Sequence, residues 1–201
     1  MKMGVLAGAA ALAVSGFASA GFVGMVVDSA VVNGKTVFHV YAQFDSANDV
    51  VLSCFGVAGI PAGGFYHSDF VGGSWAPQFT QTAAEDSFVT IGGAPGFSNS
   101  TQADPNWGAA GFNQPGIPNG AGWFNSNPPN LQGKVDGTLK TFIAQFSYAG
   151  AVTAFTSPIT VSFNQGLGTP TQFANSSFSV PAPGAIALLG LAGLAGRRRR
   201  A

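Results

Sequence analysis

The ten residues Lys35-Thr-Val-Phe-His-Val-Tyr-Ala-Gln-Phe44 constrain this chain more than any other stretch. Phe38, Val40, Ala42 and Phe44 fall on one side of an extended segment, while Val37, His39, Tyr41 and Gln43 fall on the other. A period of two is strand geometry, because successive side chains leave a pleated backbone in opposite directions. One face of this strand therefore has to be covered. Just upstream, Asn33-Gly34 tolerates the positive φ of a tight hairpin turn, and Val26 to Val32 supplies the preceding strand. Downstream, Asp45-Ser-Ala-Asn-Asp49 reads as a turn into Val50 to Val57, which is apolar on both faces and so expected near the middle of a sheet.

The remainder keeps to strands and loops. Ser87 to Ile91 is a short strand before Gly92-Gly93, and residues 94 to 130 then hold half of the prolines and most of the asparagines, with six glycines among them. The aromatics of that stretch, Phe97, Trp107, Phe112, Trp123 and Phe124, predict an ordered, loop-rich cover pinned by its two tryptophans. Alternation returns in Leu139 to Tyr148, where Phe142, Ala144, Phe146 and Tyr148 share a face, and in Ile159 to Phe163. Phe173 and Phe178 suggest a last strand, stopped at Pro181. Tyr41-Ala-Gln-Phe44 is echoed by Ile143-Ala-Gln-Phe146, a weak hint of matching strands in two halves. No long amphipathic helix stands out. The expected fold class is all-β, a two-sheet sandwich or jelly roll of about eight or nine strands with a long Gly/Pro/Asn-rich loop.

Both ends of the chain depart from this pattern. Lys2 is a minimal basic region, Met3 to Phe17 is apolar, and Ala18-Ser19-Ala20 is a small-x-small cleavage site, together a secretory signal peptide cut after Ala20. The last segment has three parts: Val180-Pro181-Ala182-Pro183-Gly184, an apolar run to Gly196, and Arg197, Arg198, Arg199 and Arg200. The thirteen residues from Gly184 to Gly196 make a helix of about 20 Å, short of the roughly 30 Å hydrocarbon core unless their neighbours join in. The arginines would stay on the cytoplasmic side by the positive-inside rule.

This tripartite tail resembles the PEP-CTERM sorting signal of Gram-negative bacteria, with Ala182 where the family's motif carries glutamate. The resemblance covers residues 180 to 201 alone. It implies that the tail is held in the inner membrane, recognised by an exosortase, a membrane cysteine protease or transpeptidase, and removed. An ordinary C-terminal anchor helix is the alternative. The chain thus divides into residues 1–20, a leader; 21–179, one β domain; and 180–201, a sorting tail. Its expected partners are signal peptidase, an exosortase, the inner membrane in passing, and extracellular polysaccharide.

Removing both ends changes the charge. The whole chain is formally neutral, yet Lys2 and the four arginines belong to the ends, leaving Lys35, Lys134 and Lys140 against eight carboxylates. The body is net minus five and contains no arginine. Nucleic-acid binding, which needs a basic footprint, is excluded, and phosphate recognition by a bidentate fork is disfavoured.

Catalytic sets are hard to assemble from what is left. The lone Cys54 lies in an apolar run and reads as core. Tyr66-His67-Ser68-Asp69 gathers triad residue types, but neighbours along an extended segment point to alternate faces. No cofactor is expected. The best metal reading is a calcium ion held by Asp45, Asn48 and Asp49, with Glu85 and Asp86 or Asp104 and Asn106 as other oxygen donors, although a turn alone explains the first set. Two function classes follow: a noncatalytic surface or matrix protein, and a carbohydrate-binding module in which exposed Trp75, Trp107 or Trp123 stack on sugar rings.

Overall fold

The computed structural model describes residues 21–60, 63–68, 73–77, 84–92, 99–148 and 154–182. Ala18, Ser19, Ala20, Asp69, Phe97, Pro183, Gly184 and Arg197 to Arg200 lie outside these residues, and with them most of the leader and tail.

Nine strands occur among the described residues: β1 (Phe22–Val32), β2 (Lys35–Phe44), β3 (Val50–Phe55), β4 (Phe88–Val89), β5 (Thr101–Ala103), β6 (Trp123–Asn125), β7 (Lys140–Tyr148), β8 (Phe155–Asn164) and β9 (Gln172–Val180). They form two sheets, one ordered β1-β2-β7-β4 and the other β5-β6-β3-β8-β9, and every strand pair is antiparallel. The protein is all-β, as its alternation predicts.

The β1–β2 hairpin turns where expected. Val32 pairs with Lys35 around Asn33 (φ 47°) and Gly34 (φ 78°), two left-handed residues that match the twist of the strands they join. β1 starts at Phe22 rather than Val26, with a register shift between Phe22 and Gly24. The extension is held by aromatic packing: the Phe22 ring lies 5.5 Å from Phe44 and 6.3 Å from Phe163. Phe38, Val40, Ala42 and Phe44 are all buried, so the predicted face of β2 is the core face.

β7 corrects one expectation. Val40 pairs with Ala144 but Tyr41 with Phe142, leaving Ile143 as the extra residue of a bulge. A bulge inverts the alternation beyond it. Phe142 therefore leaves the face of Ala144, Phe146 and Tyr148 and packs against His39 (5.7 Å), Tyr41 (5.3 Å) and Phe88 (5.7 Å) on the opposite side. The Ala-Gln-Phe echo has a local origin as well: Phe38 pairs with Phe146 and Val40 with Ala144, so the two segments are neighbours in one sheet and not equivalents in two halves.

β3 occupies the centre of the five-stranded sheet, between β6 and β8. The stretch read as a loop-rich cover contributes β5 and β6, which extend that sheet beyond β3. Short 3-10 turns at Pro105–Trp107 and Pro128–Asn130 flank β6. Pro158 lies within β8, where it pairs with Ser177 of β9; β3 reaches only as far as Thr160, so no ladder bond on that side needs an amide from Pro158. Buried residues of both sheets form one cluster, including Phe38, Phe44, Val51, Trp75, Ile91, Trp123, Ile143, Phe146, Val161, Phe163 and Phe178. Each large apolar side chain there contributes about 1.5 to 3 kcal/mol on leaving water.

Candidate functional site

The three tryptophans offered as sugar platforms are core residues. Trp75, Trp107 and Trp123 are at most 1% exposed, so none presents a ring face to a ligand. Their indole nitrogens explain two of the placements. Trp107 Nε1 donates to the Gly122 carbonyl at 2.7 Å, bracing the Gly/Pro-rich stretch internally, and Trp123 Nε1 donates to the Thr90 carbonyl at 2.9 Å, pinning that stretch to the body. Trp75 is wedged among Phe65 (5.2 Å), His67 (4.7 Å) and Phe146 (6.1 Å).

The calcium set does not converge either. Asp45 and Asn48 are exposed, whereas Asp49 turns inward and is completely buried. No group of three or more His, Cys, Asp or Glu side chains able to hold a metal occurs among the described residues. Asp45, Asn48 and Asp49 are instead a turn, with Asn48 N–H donating to Ser46 Oγ at 3.2 Å and Asp49 N–H to the Ser46 carbonyl at 3.4 Å.

His67 finds a carboxylate that its own sequence neighbourhood did not announce. Asp86 Oδ1 lies 3.7 Å from His67 Nδ1, and that nitrogen is 3.1 Å from the Ser87 carbonyl. The carbonyl can only accept, so the ring carries its proton on Nδ1. Burial lowers the His67 pKa, with the Ser87 and Ser74 backbone groups opposing it. Asp86 is fully buried and accepts from Ser68 N–H at 2.8 Å through Oδ1, while Oδ2 has no hydrogen-bond partner. Burial pushes its pKa up to about 7, against the hydrogen bonds from Ser68 and Ser87. Burial thus disfavours the charged form of both partners, and the imidazole packs edge-on against Trp75. Cys54 is buried and its thiol is pushed far up by burial, which removes the thiolate a nucleophile needs.

A surface feature that the sequence reading missed lies on the solvent side of the five-stranded sheet. Across β6, β3, β8 and β9 the register aligns Phe124, Ser53, Ser162 and Phe173, and the next row holds Phe55, Thr160 and Asn175. Phe124 and Phe173 are exposed, at 37% and 62%. They stand three strand spacings apart, roughly 14 Å at the backbone. Between them Ser53 Oγ and Ser162 Oγ share a hydrogen bond of 2.6 Å, Thr160 Oγ1 donates to Asn175 Oδ1 at 2.8 Å, and the Phe55 ring lies 6.3 Å from that of Phe173. A groove of about 240 Å³ at the β6 side is lined by Ser53, Cys54, Phe55, Asp104, Trp123 and Phe124. Two hydroxyls on the floor and aromatic walls can grip a flat molecule that has both apolar faces and hydroxyl edges. The signal was present in β9: Phe173 is out of phase with Ala174, Phe178 and Val180, the buried positions of that strand.

The sorting motif enters the described residues only at its start. Val180, the last residue of β9, is buried, and Pro181 and Ala182 follow half-buried. What fold and site together define is an all-β protein of two antiparallel sheets closed on one core. No protein-family model matches the chain, and neither does any curated protein or any solved structure.

Proposed function

We propose that this chain is an exported, noncatalytic β-sandwich protein of the cell surface or extracellular matrix, handled by signal peptidase and then by an exosortase-type sorting enzyme. The observation that carries this reading is where the described strands start and stop. β1 begins at Phe22, immediately after the small-x-small motif, and β9 ends at Val180, immediately before Pro181. Cutting away both ends would leave every strand and core residue among the described residues in place. The walled-in chemistry of Cys54 and His67 supports the noncatalytic part. Expression of the full chain in a Gram-negative host with and without an exosortase, followed by fractionation and intact mass, tests the proposal. The expected product begins at Gly21 and lacks Arg197 to Arg200; a membrane-bound product that keeps the arginines overturns the sorting reading.

The aromatic and hydroxyl face favours a second reading, in which the body binds extracellular polysaccharide through Phe55, Phe124 and Phe173 in place of the tryptophans. Sugar rings present apolar C–H faces to aromatics and hydroxyl edges to groups such as Ser53, Thr160 and Asn175. Loss of glycan-array binding in Phe124→Ala and Phe173→Ala, with unchanged melting temperature, would establish it. Binding that survives both substitutions would dismiss that face.

A further inference from the structure

Asp49 is an anomaly that the fold does not explain. Its side chain is completely buried, and neither carboxylate oxygen has a hydrogen-bond partner. A bare carboxylate in an apolar site is among the costliest groups a protein can bury. Burial raises its pKa, and the nearby Asp45 carboxylate raises it further. Such a carboxyl is held either by a proton or by a cation brought against it.

The residue against it is Gly21. A Cβ placed on Gly21 would lie 2.8 Å from Asp49 Oδ2, 3.2 Å from Oδ1 and 3.2 Å from Cε2 of Phe163. For a carbon the first of these distances is a clash. For a nitrogen, 2.8 and 3.2 Å are hydrogen-bond distances to both oxygens at once. Rotation by 120° about the Cα–C bond carries the amino nitrogen of a glycine to the place its Cβ would take. While the chain continues upstream, that rotation would drag the preceding peptide with it. Once the chain begins at Gly21, only an ammonium group moves. The Gly21 carbonyl remains where it is, accepting from Asp45 N–H at 2.8 Å, and Phe22 stays held by Phe44 and Phe163.

We propose that Asp49 is the receptor for the new N-terminus, and that cleavage after Ala20 creates the ammonium group that completes the site. The inference rests on the signal-peptidase processing proposed above. In that step water breaks the Ala20–Gly21 amide: its hydroxyl goes to the Ala20 carbonyl carbon, which leaves as a carboxylate, and its proton, with the one released by that acid, makes the Gly21 amine an ammonium. The ammonium swings onto Asp49 and forms a buried ion pair beside Phe163. Residue 21 is already constrained to glycine before cleavage, because its φ is +107° and a Cβ there would lie 2.8 Å from Asp49 Oδ2. The leader's removal thus locks the first strand to the turn before β3, and an unprocessed chain carries the unpaired carboxylate instead.

The test uses the full chain secreted and processed by a Gram-negative host. Intact mass first locates the N-terminus, and native reductive methylation, mapped to the N-terminal peptide, then measures how reactive its α-amine is. The expected result is a Gly21 amine labelled at least about tenfold more slowly than in Asp49→Asn or in the urea-unfolded wild type, as follows from a rise of one unit or more in amine pKa. Should Asp49→Asn fail to fold, the wild type decides alone, because carbon NMR would find Asp49 titrating below the ordinary carboxylate value of about 4 if it is paired. An amine at Gly21 that labels at the free rate, or an Asp49 that titrates above that value beside Asp45, overturns the proposal and leaves processing intact. An N-terminus elsewhere removes the processing reading and this inference together.

Discussion

Replacing Asp86 by asparagine should stabilise the protein at pH 8 and do little for it at pH 4. Asp86 is fully buried, with one oxygen on Ser68 N–H and the other bare, and burial lifts its pKa from 3.8 to about 7. Between those two values the folded carboxyl keeps a proton that the unfolded chain has released. The folded state then binds more protons than the unfolded one, so stability falls as pH rises across that window. A displacement of about three units at about 1.36 kcal/mol each gives a loss of about 4 kcal/mol between pH 4 and pH 8. Asparagine keeps the acceptor for Ser68 and cannot ionise, so it should not share that loss. Urea unfolding of both proteins at intervals from pH 4 to pH 8 measures it, with the difference in free energy as the readout, since other carboxylates then largely cancel. The asparagine variant should gain steadily on the wild type up to about pH 7 and level off above it. A difference that stays flat, or that runs the other way, would refute the reasoning: the first would mean that water reaches Asp86, and the second that His67 is protonated and pairs with it as an ion.

Other substitutions probe the packing directly. Trp123→Phe removes part of a fully buried ring and leaves the Thr90 carbonyl without its 2.9 Å donor, and should cost about 2 to 4 kcal/mol in chemical unfolding. Gly92→Ala should be far more damaging, about 3 kcal/mol or more, because Gly92 has φ +62° and a Cβ there would run into the Gln132 backbone carbonyl; poor yield or a large fall in melting temperature is the readout. Cys54 should resist a thiol reagent at pH 8 in the native protein and react once urea has unfolded it, since it is buried and its ionisation is suppressed.

The sequence by itself determined the elements whose cause is local. The face of β2 follows from a period of two, the β1–β2 turn from Asn33-Gly34, the central position of β3 from apolar residues on both its faces, and the end of β9 from Pro181. Charge bookkeeping likewise needs no coordinates: an arginine-free body of net minus five is legible in the residues alone. Tertiary structure decided whatever depends on a partner distant in sequence. β5 and β6 are three residues each, too short for a periodic signal, and become strands only because β3 offers an edge to β6 and β6 to β5. The bulge at Ile143 is a matter of register with β2, and no pattern within β7 announces that Phe142 changes sides. Whether a tryptophan in a glycine-rich loop faces water or a carbonyl turns on Gly122 and Thr90, fifteen and thirty-three positions away. Asp49 makes the contrast sharpest. Within its turn it is one more Asx residue, and only the arrival of Gly21 and Phe163 against it makes it a buried carboxyl without a hydrogen-bond partner. Periodicity is written along the chain because a strand's two faces are a local property, whereas burial and pairing belong to the space between segments.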